Sequence, residues 1–325
     1  MIKVGLIPCQ NGLGHISRSA VLAEKLSVKY KIFFLTNLNK LNKFKLKKSI
    51  KRIHFISQFD LKKKNYNQFW YKKIERKIKR LNLDILISDN LPEIVFLKNK
   101  SIIISNFFWH EIFNIKNEKL KKTFNLINKK KVKIFRNRIF KNQKNFSNIG
   151  FIGNMVNKYP KYKKGLLISF GSEDQIDNSI SNDLKKIIYD KNRKIPIFLD
   201  PNYFKPKYKK LNVRLATYNQ SMFDKIKYAI IKPGFGSLCD CLKNQIIIFC
   251  YSNKVYNKEF KINSEAMKKN NLGYQTKNIL ASYKFIKKNK FLKIKKINKN
   301  MWNGEKKIIE YIDQLKLNKI KIMGK

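Results

Sequence analysis

A histidine stands directly after a glycine-rich turn near the start of the chain, in the segment NGLGHISRSAVLAEKL at residues 11–26. Gly12 and Gly14 permit a sharp bend and a close approach by a ligand. The pattern that follows predicts a helix beginning at His15, and the positive end of a helix favours the uncharged ring, which can accept a proton. We therefore expect His15 to be a general base; the alternative is a structural histidine that caps the turn.

The stretch KPGFGSLCDCL at residues 232–242 carries the strongest signal in the second half. Gly234 and Gly236 lie between a predicted buried strand and a short helix, where backbone N–H groups can bind phosphate. Ser237 and Asp240 follow with a spacing of three residues, which suits a hydroxyl on a diphosphate and a carboxylate on ribose. The alternative is helix capping, with Ser237 as the N-cap and Asp240 at the third helical position.

Two weaker features accompany other predicted strand ends. Gly171 and Ser172 end the run ISFGS, where backbone N–H groups can again meet a phosphate. Glu259 and Asn263 lie four residues apart on a predicted helix and so share one face. They are either polar ligands of a bound molecule or part of a solvated helix face.

Continuous apolar runs predict the strands that must position these residues. Runs without polar alternation are typical of strands covered on both faces, and so of parallel sheets between layers of helices. A first series is expected at 3–8, 31–36, 52–57, 84–89, 101–106 and 148–153, and a second at 165–171, 195–200, 212–217, 228–234 and 246–251. Amphipathic helices are expected between the strands, for example at 15–28 and 69–81.

The restart of the strand series predicts two domains. We expect an α/β protein with two doubly wound Rossmann-like domains that face each other across a cleft. The expected parts are an N-terminal domain at 1–154, a linker at 155–164, a C-terminal domain at 165–300, and a C-terminal helix with a basic tail at 301–325. Ligands of such sheets bind beyond the C-terminal ends of the strands, where the residues above are predicted to lie.

The charge of the chain is far from balanced. Its 325 residues include 73 Lys and Arg against 21 Asp and Glu, a formal net charge of +52. This charge favours an anionic partner, either nucleic acid or an acidic membrane surface, although compositional drift toward lysine gives the same number. No apolar run approaches the roughly 20 residues of a membrane helix, and the N-terminus does not read as a signal peptide. Four cysteines without a C-x-x-C pair favour a reducing, cytoplasmic setting.

The two glycine segments resemble those of GT-B glycosyltransferases. The similarity is greatest to the N-acetylglucosaminyltransferase of peptidoglycan lipid synthesis and to related proteins with the pattern G-x-G-H-x-x-R, which Gly12, Gly14, His15 and Arg18 match. KPGFGSLCDCL resembles the nucleotide-sugar loop of that family, R-x-G-A-x-T-x-x-E, with serine in place of threonine and aspartate in place of the ribose-binding glutamate. NKEFKINSEAM resembles the stretch that ends H-Q-x-x-N-A, although it lacks the histidine.

The resemblance implies a metal-independent hexosyltransferase that has no bound cofactor. Its donor would be a UDP-sugar of N-acetylhexosamine type, and its acceptor a glycan or a lipid-linked sugar in surface polysaccharide synthesis. His15 would be the base, and Asp89, at the end of the run DILISD, is a second base candidate. The other implied roles are phosphate binding by Gly171, Ser172, Gly234, Gly236 and Ser237, ribose binding by Asp240, and sugar binding by Glu259 and Asn263.

A lipid-linked acceptor would give the basic surface a use. The expected location is the cytoplasm, peripherally at the inner face of the membrane, with lysine-rich faces around 61–81, 120–144 and 283–299 in contact with anionic lipid. Nucleic acid is not the expected partner, because the basic residues are spread over all elements.

Two other functions stay open. The pattern G-x-G-H-x-x-R also resembles the nucleotide-sugar hydrolase of pseudaminic acid synthesis, in which the histidine would activate water. The second alternative is a non-enzymatic protein that binds RNA or an anionic membrane through its charge alone.

Overall fold

The computed structural model divides the chain into two compact units, Met1–Gly153 with Lys299–Lys325, and Asn154–Asn298. The residues that the structure describes are 1–10, 13–42, 44–55, 59–60, 65–67, 69–108, 118–140, 146–153, 160, 162–170, 178–251, 258–288, 292 and 299–323. Each unit is built around its own parallel sheet, with helices between successive strands.

The sheet of the first unit has seven strands, all parallel, in the order β3-β2-β1-β6-β7-β8-β9. Its strands are β1 Lys3–Pro8, β2 Lys31–Thr36, β3 Lys51–His54, β6 Ile85–Asp89, β7 Lys100–Ile104, β8 Lys133–Asn137 and β9 Phe146–Ile149. A separate antiparallel pair consists of β4 Phe59–Asp60 and β5 Asn65–Tyr66.

The sheet of the second unit has six parallel strands in the order β12-β11-β10-β13-β14-β15. Its strands are β10 Gly165–Ser169, β11 Ile197–Leu199, β12 Val213–Leu215, β13 Ile226–Ile231, β14 Ile247–Tyr251 and β15 Tyr274–Thr276.

The helices follow the amphipathic stretches between the strands. In the first unit they are α1 Gly14–Leu26, α2 Leu38–Leu41, α3 Trp70–Leu81 and α4 Glu118–Lys129; in the second they are α5 Asn178–Ile188, α6 Gln220–Phe223, α7 Phe235–Lys243, α8 Lys258–Lys269 and α9 Ile279–Lys288. A last helix, α10 Gly304–Met323, belongs to the first unit, and Ile308 and Ile312 of this helix are completely buried in its core.

Both sheets reverse their strand order at one point. In the first sheet β1 lies between β2 and β6, so the connections leave β1 and β6 toward opposite sides. In the second sheet β10 lies in the same way between β11 and β13. The loops that leave the carboxyl ends of such a strand pair diverge, and the crevice between them is the usual ligand site of an open α/β sheet.

The expected class of fold, two doubly wound Rossmann-like domains, is therefore confirmed. Each predicted strand is present, although several ends differ by two to four residues. The short pair β4 and β5 was not predicted, and two strands of the parallel sheets, β8 and β15, were also missed for identifiable reasons. β8 contains Arg136, which interrupts the apolar run but is buried, with its guanidinium 4.0 Å from the centre of the Phe146 ring. β15 has three residues and forms the sheet edge, so it lacks a continuous apolar run.

Candidate active site

The topological switch point of the first sheet brings together two residues that are far apart in the sequence. β1 ends at Pro8, and α1 begins six residues later at Gly14, with His15 in its first turn. β6 ends at Asp89, which is paired with Pro8 in the parallel register. The strand register thus places Asp89 beside the N-terminal turn of α1.

Asp89 accepts hydrogen bonds from three residues on one face of α1. Its Oδ1 lies 2.8 Å from Nδ1 of His15 and also accepts from Nη2 of Arg18. Its Oδ2 accepts from Nε of Arg18 at 2.7 Å and from Oγ of Ser19 at 3.5 Å. Spacings of three and four residues put these side chains on one side of the helix.

The carboxyl of Asp89 is 1% exposed, and it is nevertheless ionised. Burial by itself raises the pKa, but the charges and hydrogen bonds of Arg18 and His15 outweigh burial and hold the pKa of Asp89 at about 2. An ionised carboxylate only accepts hydrogen bonds, so we assign the proton of this contact to Nδ1 of His15. A neutral ring of this tautomer carries its lone pair on Nε2, where it can take up a proton.

The sequence named His15 and Asp89 as two separate base candidates, and the structure joins them in one contact. Both oxygens of Asp89 are occupied as acceptors. The side chain of His15 is 14% exposed, whereas that of Asp89 is 1% exposed. The pair can therefore work with His15 as the residue that meets a ligand and Asp89 as the residue that orients it.

The glycine turn of the second unit lies at the end of β13, beside the switch point. α7 begins at Phe235 with Gly234 as its N-cap, so Ser237 is the third helical residue. The alternative in which Ser237 is the N-cap is therefore wrong. Among the described residues, no atom lies within 4 Å of the Cβ that an alanine would place at Gly234. A methyl group at Gly234, at the N-terminus of α7, would thus meet no described atom outside the adjoining residues.

Asp240 lies one turn further along α7 and is exposed to solvent. The surrounding protein desolvates its carboxyl and raises the pKa to about 6, against the opposing charge of Lys243. Exposure limits this effect, because water that reaches the carboxylate stabilises the charged form. Asp240 is thus an ionised acceptor at neutral pH.

Helix α8 supports the glycine turn. Asn263 is completely buried and donates from Nδ2 to the backbone oxygen of Pro233 at 2.8 Å. The ammonium group of Lys232 lies 4.4 Å from the centre of the Phe260 ring. Glu259, one helical turn before Asn263, is partly exposed. Glu259 and Asn263 were predicted to face a ligand together. Glu259 is partly exposed and could meet a ligand, whereas Asn263 is buried and stabilises the glycine turn through its hydrogen bond to Pro233.

The sequence did not predict a polar cluster at the ends of β10 and β11, in which Ser169 and Asp200 are buried and Tyr218 is partly exposed. Oγ of Ser169, at the end of β10, lies 3.2 Å from Oδ2 of Asp200, which follows β11. The hydroxyl of Tyr218 donates to the same oxygen at 3.0 Å and lies 2.8 Å from Oγ of Ser169. Desolvation of the hydroxyl by the surrounding protein, together with the charge of Asp200, raises the pKa of Tyr218. The signal that could have revealed this cluster was the position of Asp200 at the end of the predicted strand 195–200 and of Tyr218 directly after the predicted strand 212–217.

Three predicted site residues, Gly12, Gly171 and Ser172, lie outside the described residues. Within the described part of the chain, no group of three His, Cys, Asp or Glu side chains is arranged to hold a metal ion. In the same part no helix is both long enough and apolar enough to cross a bilayer.

Solved structures match this chain in fold. MurG of Acinetobacter baumannii has a TM-score of 0.59 and 11% identity, over 97% of this chain and 100% of that one. A UDP-glucosyltransferase from Polygonum tinctorium has a TM-score of 0.63 and 13% identity, over 95% of this chain and 91% of that one. CalG4, the calicheamicin glycosyltransferase, has a TM-score of 0.61 and 11% identity, over 89% of each chain.

The fold is therefore that of the GT-B glycosyltransferases, as the resemblance of the glycine segments implied. No protein-family model matches the sequence, and no curated protein matches it.

Asp89 is expected to make the stability of the protein depend on acid pH. Because its pKa is lower in the folded chain, its contribution to the free energy of unfolding is fully present above the unfolded pKa, roughly 4, and is lost as the pH falls toward about 2. Between about pH 6 and about pH 3, the difference in this free energy between wild type and Asp89→Asn should shrink by about 1 kcal/mol. Urea denaturation measures the difference, and a constant value across this range would contradict an ionised Asp89.

Proposed function

We propose that the protein is a glycosyltransferase that moves a sugar from a UDP-sugar to a glycan or a lipid-linked acceptor. The sugar proposed is of N-acetylhexosamine type. The contact between His15 and Asp89 carries this proposal, because it supplies a positioned base at the ligand edge of a sheet in a GT-B fold. MurG and UDP-glycosyltransferases among the fold neighbours support the same class of reaction.

His15 takes the proton of the acceptor hydroxyl on Nε2. The hydroxyl oxygen then forms a bond to the anomeric carbon of the donor, and the bond from that carbon to the diphosphate oxygen breaks. The imidazolium that forms is stabilised by Asp89, whose Oδ1 already accepts from Nδ1. This is the arrangement in which a carboxylate orients a base and balances the charge it acquires.

The second unit binds the donor. The first backbone N–H groups of α7, which follow Gly234, suit the charge that develops on the leaving diphosphate. We assign Gly236 and Ser237 to the same diphosphate. Gly171 and Ser172, with the first loop at Gly12 and Gly14, stay predictions for phosphate or sugar contacts.

The remaining donor contacts follow from charge and exposure. Asp240 is an exposed carboxylate on α7 and accepts hydrogen bonds from ribose hydroxyls. Glu259 is the residue of α8 that meets the sugar, whereas Asn263 acts through Pro233. In the proposed chemistry, helix N-termini stabilise the negative charge that develops on the leaving diphosphate. The reaction then requires no metal ion and no cofactor.

A cationic face gives the protein a means of reaching a lipid-linked acceptor. Helix α3 buries Trp70, Ile74 and Ile78 and exposes basic residues along its other side. These are Lys72, Lys73, Arg76, Lys77, Lys79 and Arg80. We propose peripheral binding of this face to the anionic inner surface of the membrane, which implies a cytoplasmic location.

The open space at Gly234 gives a clean test of donor binding. Gly234→Ala meets no described atom, so it should fold with the wild-type melting temperature while its methyl group obstructs the phosphate. We expect UDP to bind about tenfold more weakly, and stabilisation by saturating UDP to fall by about 1.4 kcal/mol. Thermal-shift titration measures this with UDP, UDP-GlcNAc, GDP and CMP at physiological salt.

Lys268→Ala, an exposed change on α8, is the control for that titration and should bind UDP as the wild type does. If every polyanion stabilised Gly234→Ala and Lys268→Ala equally, the ligand would be bound by charge alone. That result would favour an RNA-binding function.

Removal of the base should abolish most turnover and leave donor binding intact. His15→Ala is expected to lower kcat about 100- to 10,000-fold, the range of general base catalysis, with little change in the Kd for UDP. His54→Ala is the matched control, because His54 is exposed at the end of β3 in the same sheet. Release of UDP is measured with and without acceptor, and full wild-type release without acceptor would support a hydrolase instead.

The membrane contact is tested by sedimentation with vesicles at physiological salt. Wild type should bind vesicles with about 30% anionic lipid. The variant with Lys72, Lys73, Arg76 and Lys77 changed to Gln should bind up to about 1,000-fold more weakly, because about 1 kcal/mol is lost for each basic residue. If the wild type and the Gln variant bound anionic vesicles equally, the membrane contact would lie on another face. If the wild type bound neutral and anionic vesicles equally, the contact would not be electrostatic.

A further inference from the structure

Arg18 makes more contacts with Asp89 than His15 does. Its Nε donates to Oδ2 at 2.7 Å and its Nη2 donates to Oδ1, so the guanidinium spans both oxygens of the carboxylate. Both partners are buried, with side-chain exposures of 10% and 1%. The separation between Nη2 of Arg18 and Nδ1 of His15 is longer, 3.4 Å, and a protonated Nδ1 cannot accept from it.

We propose that Arg18 is a positioning residue for the reaction, which fixes the plane and the charge of Asp89 so that Asp89 can hold His15 in its base form. This inference rests on the proposed function for its kinetic part. The planar guanidinium binds a carboxylate through two parallel hydrogen bonds, and that geometry determines the orientation of both oxygens. Oδ1 thus stays directed at Nδ1 of His15.

Arg18 also balances the negative charge of Asp89. A buried carboxylate needs a compensating positive charge, and Arg18 is always protonated. Among the described residues, Arg18 and His15 are the groups that can place a positive charge beside Asp89. Without Arg18 the charge would be balanced by a protonated His15, which cannot accept the proton of an acceptor. With Arg18 present, the neutral ring is compatible with an ionised Asp89, and the cluster of His15, Arg18 and Asp89 carries no net charge before the reaction.

The observation that separates this role from a purely structural one is the tautomer of His15. The sequence contains three histidines, so the ring nitrogens of the protein labelled with 15N-histidine are few enough to assign with His15→Ala. In the wild type we expect His15 to carry its proton on Nδ1. In Arg18→Lys, which keeps the charge but loses the fork, we expect a mixture of both tautomers. Lys25→Met, an exposed change on the same helix, should leave the spectrum unchanged.

Kinetics supply the second readout. Misplacement of the base should lower kcat of Arg18→Lys about 100-fold while the KM for the donor changes less than about threefold. Because Arg18 acts through Asp89, adding Arg18→Met to Asp89→Asn should lower kcat no further than Asp89→Asn does alone. This double variant leaves no unpaired buried charge, so it remains informative if Arg18→Lys fails to fold.

Two results would overturn the proposal. One is a His15 tautomer in Arg18→Lys that is the same as in the wild type, and the other is a further loss of kcat when Arg18→Met is added to Asp89→Asn. If the wild type turns over no nucleotide sugar, the proposed function fails by itself, and the tautomer still decides the role of Arg18.

Discussion

The negative charge of Asp89 sits at the end of a central strand with almost no access to water. Breaking a buried ion pair of this kind costs about 3–5 kcal/mol, because it leaves one charge uncompensated. Arg18 and His15 meet this demand from one face of α1. The first helix is thereby tied to the carboxyl end of β6, and the place of His15 at the edge of the sheet follows from that attachment.

In the second unit, the glycine turn is held in place by contacts other than a buried ion pair. The turn before α7 is held by an amide of α8, since Asn263 donates to the backbone oxygen of Pro233. The ring of Phe260, on the same helix, packs under the ammonium of Lys232. A rigid turn with open space at Gly234 suits the binding of a diphosphate, whose charge is met by backbone dipoles that need no reorganisation.

The excess of positive charge is compatible with this architecture because most lysines and arginines of the described helices are exposed, whereas Arg18 of α1 is paired with Asp89. In α3 the isoleucines face inward and the lysines and arginines face solvent. Arg136 is an exception, a buried cation over the Phe146 ring. The excess of lysine and arginine therefore lies mainly at the surface, and it has little influence on the two sheets.

Local pattern by itself determined the fold class and most of the strands, because apolar runs covered on both faces have few other uses than a parallel sheet. It also predicted His15 and Gly234 as site residues, since glycine turns at strand ends have a local signature. Arg18 matched the motif, but its contact with Asp89 depends on the parallel register of β1 and β6, across 71 residues of sequence. In the same way, tertiary packing alone decided that Asn263 lies behind the glycine turn and that the last helix joins the first unit. The periodicity of a sequence shows which face of a helix is apolar. Which element packs against that face depends on contacts between residues that are far apart in the sequence, and only the tertiary structure shows these.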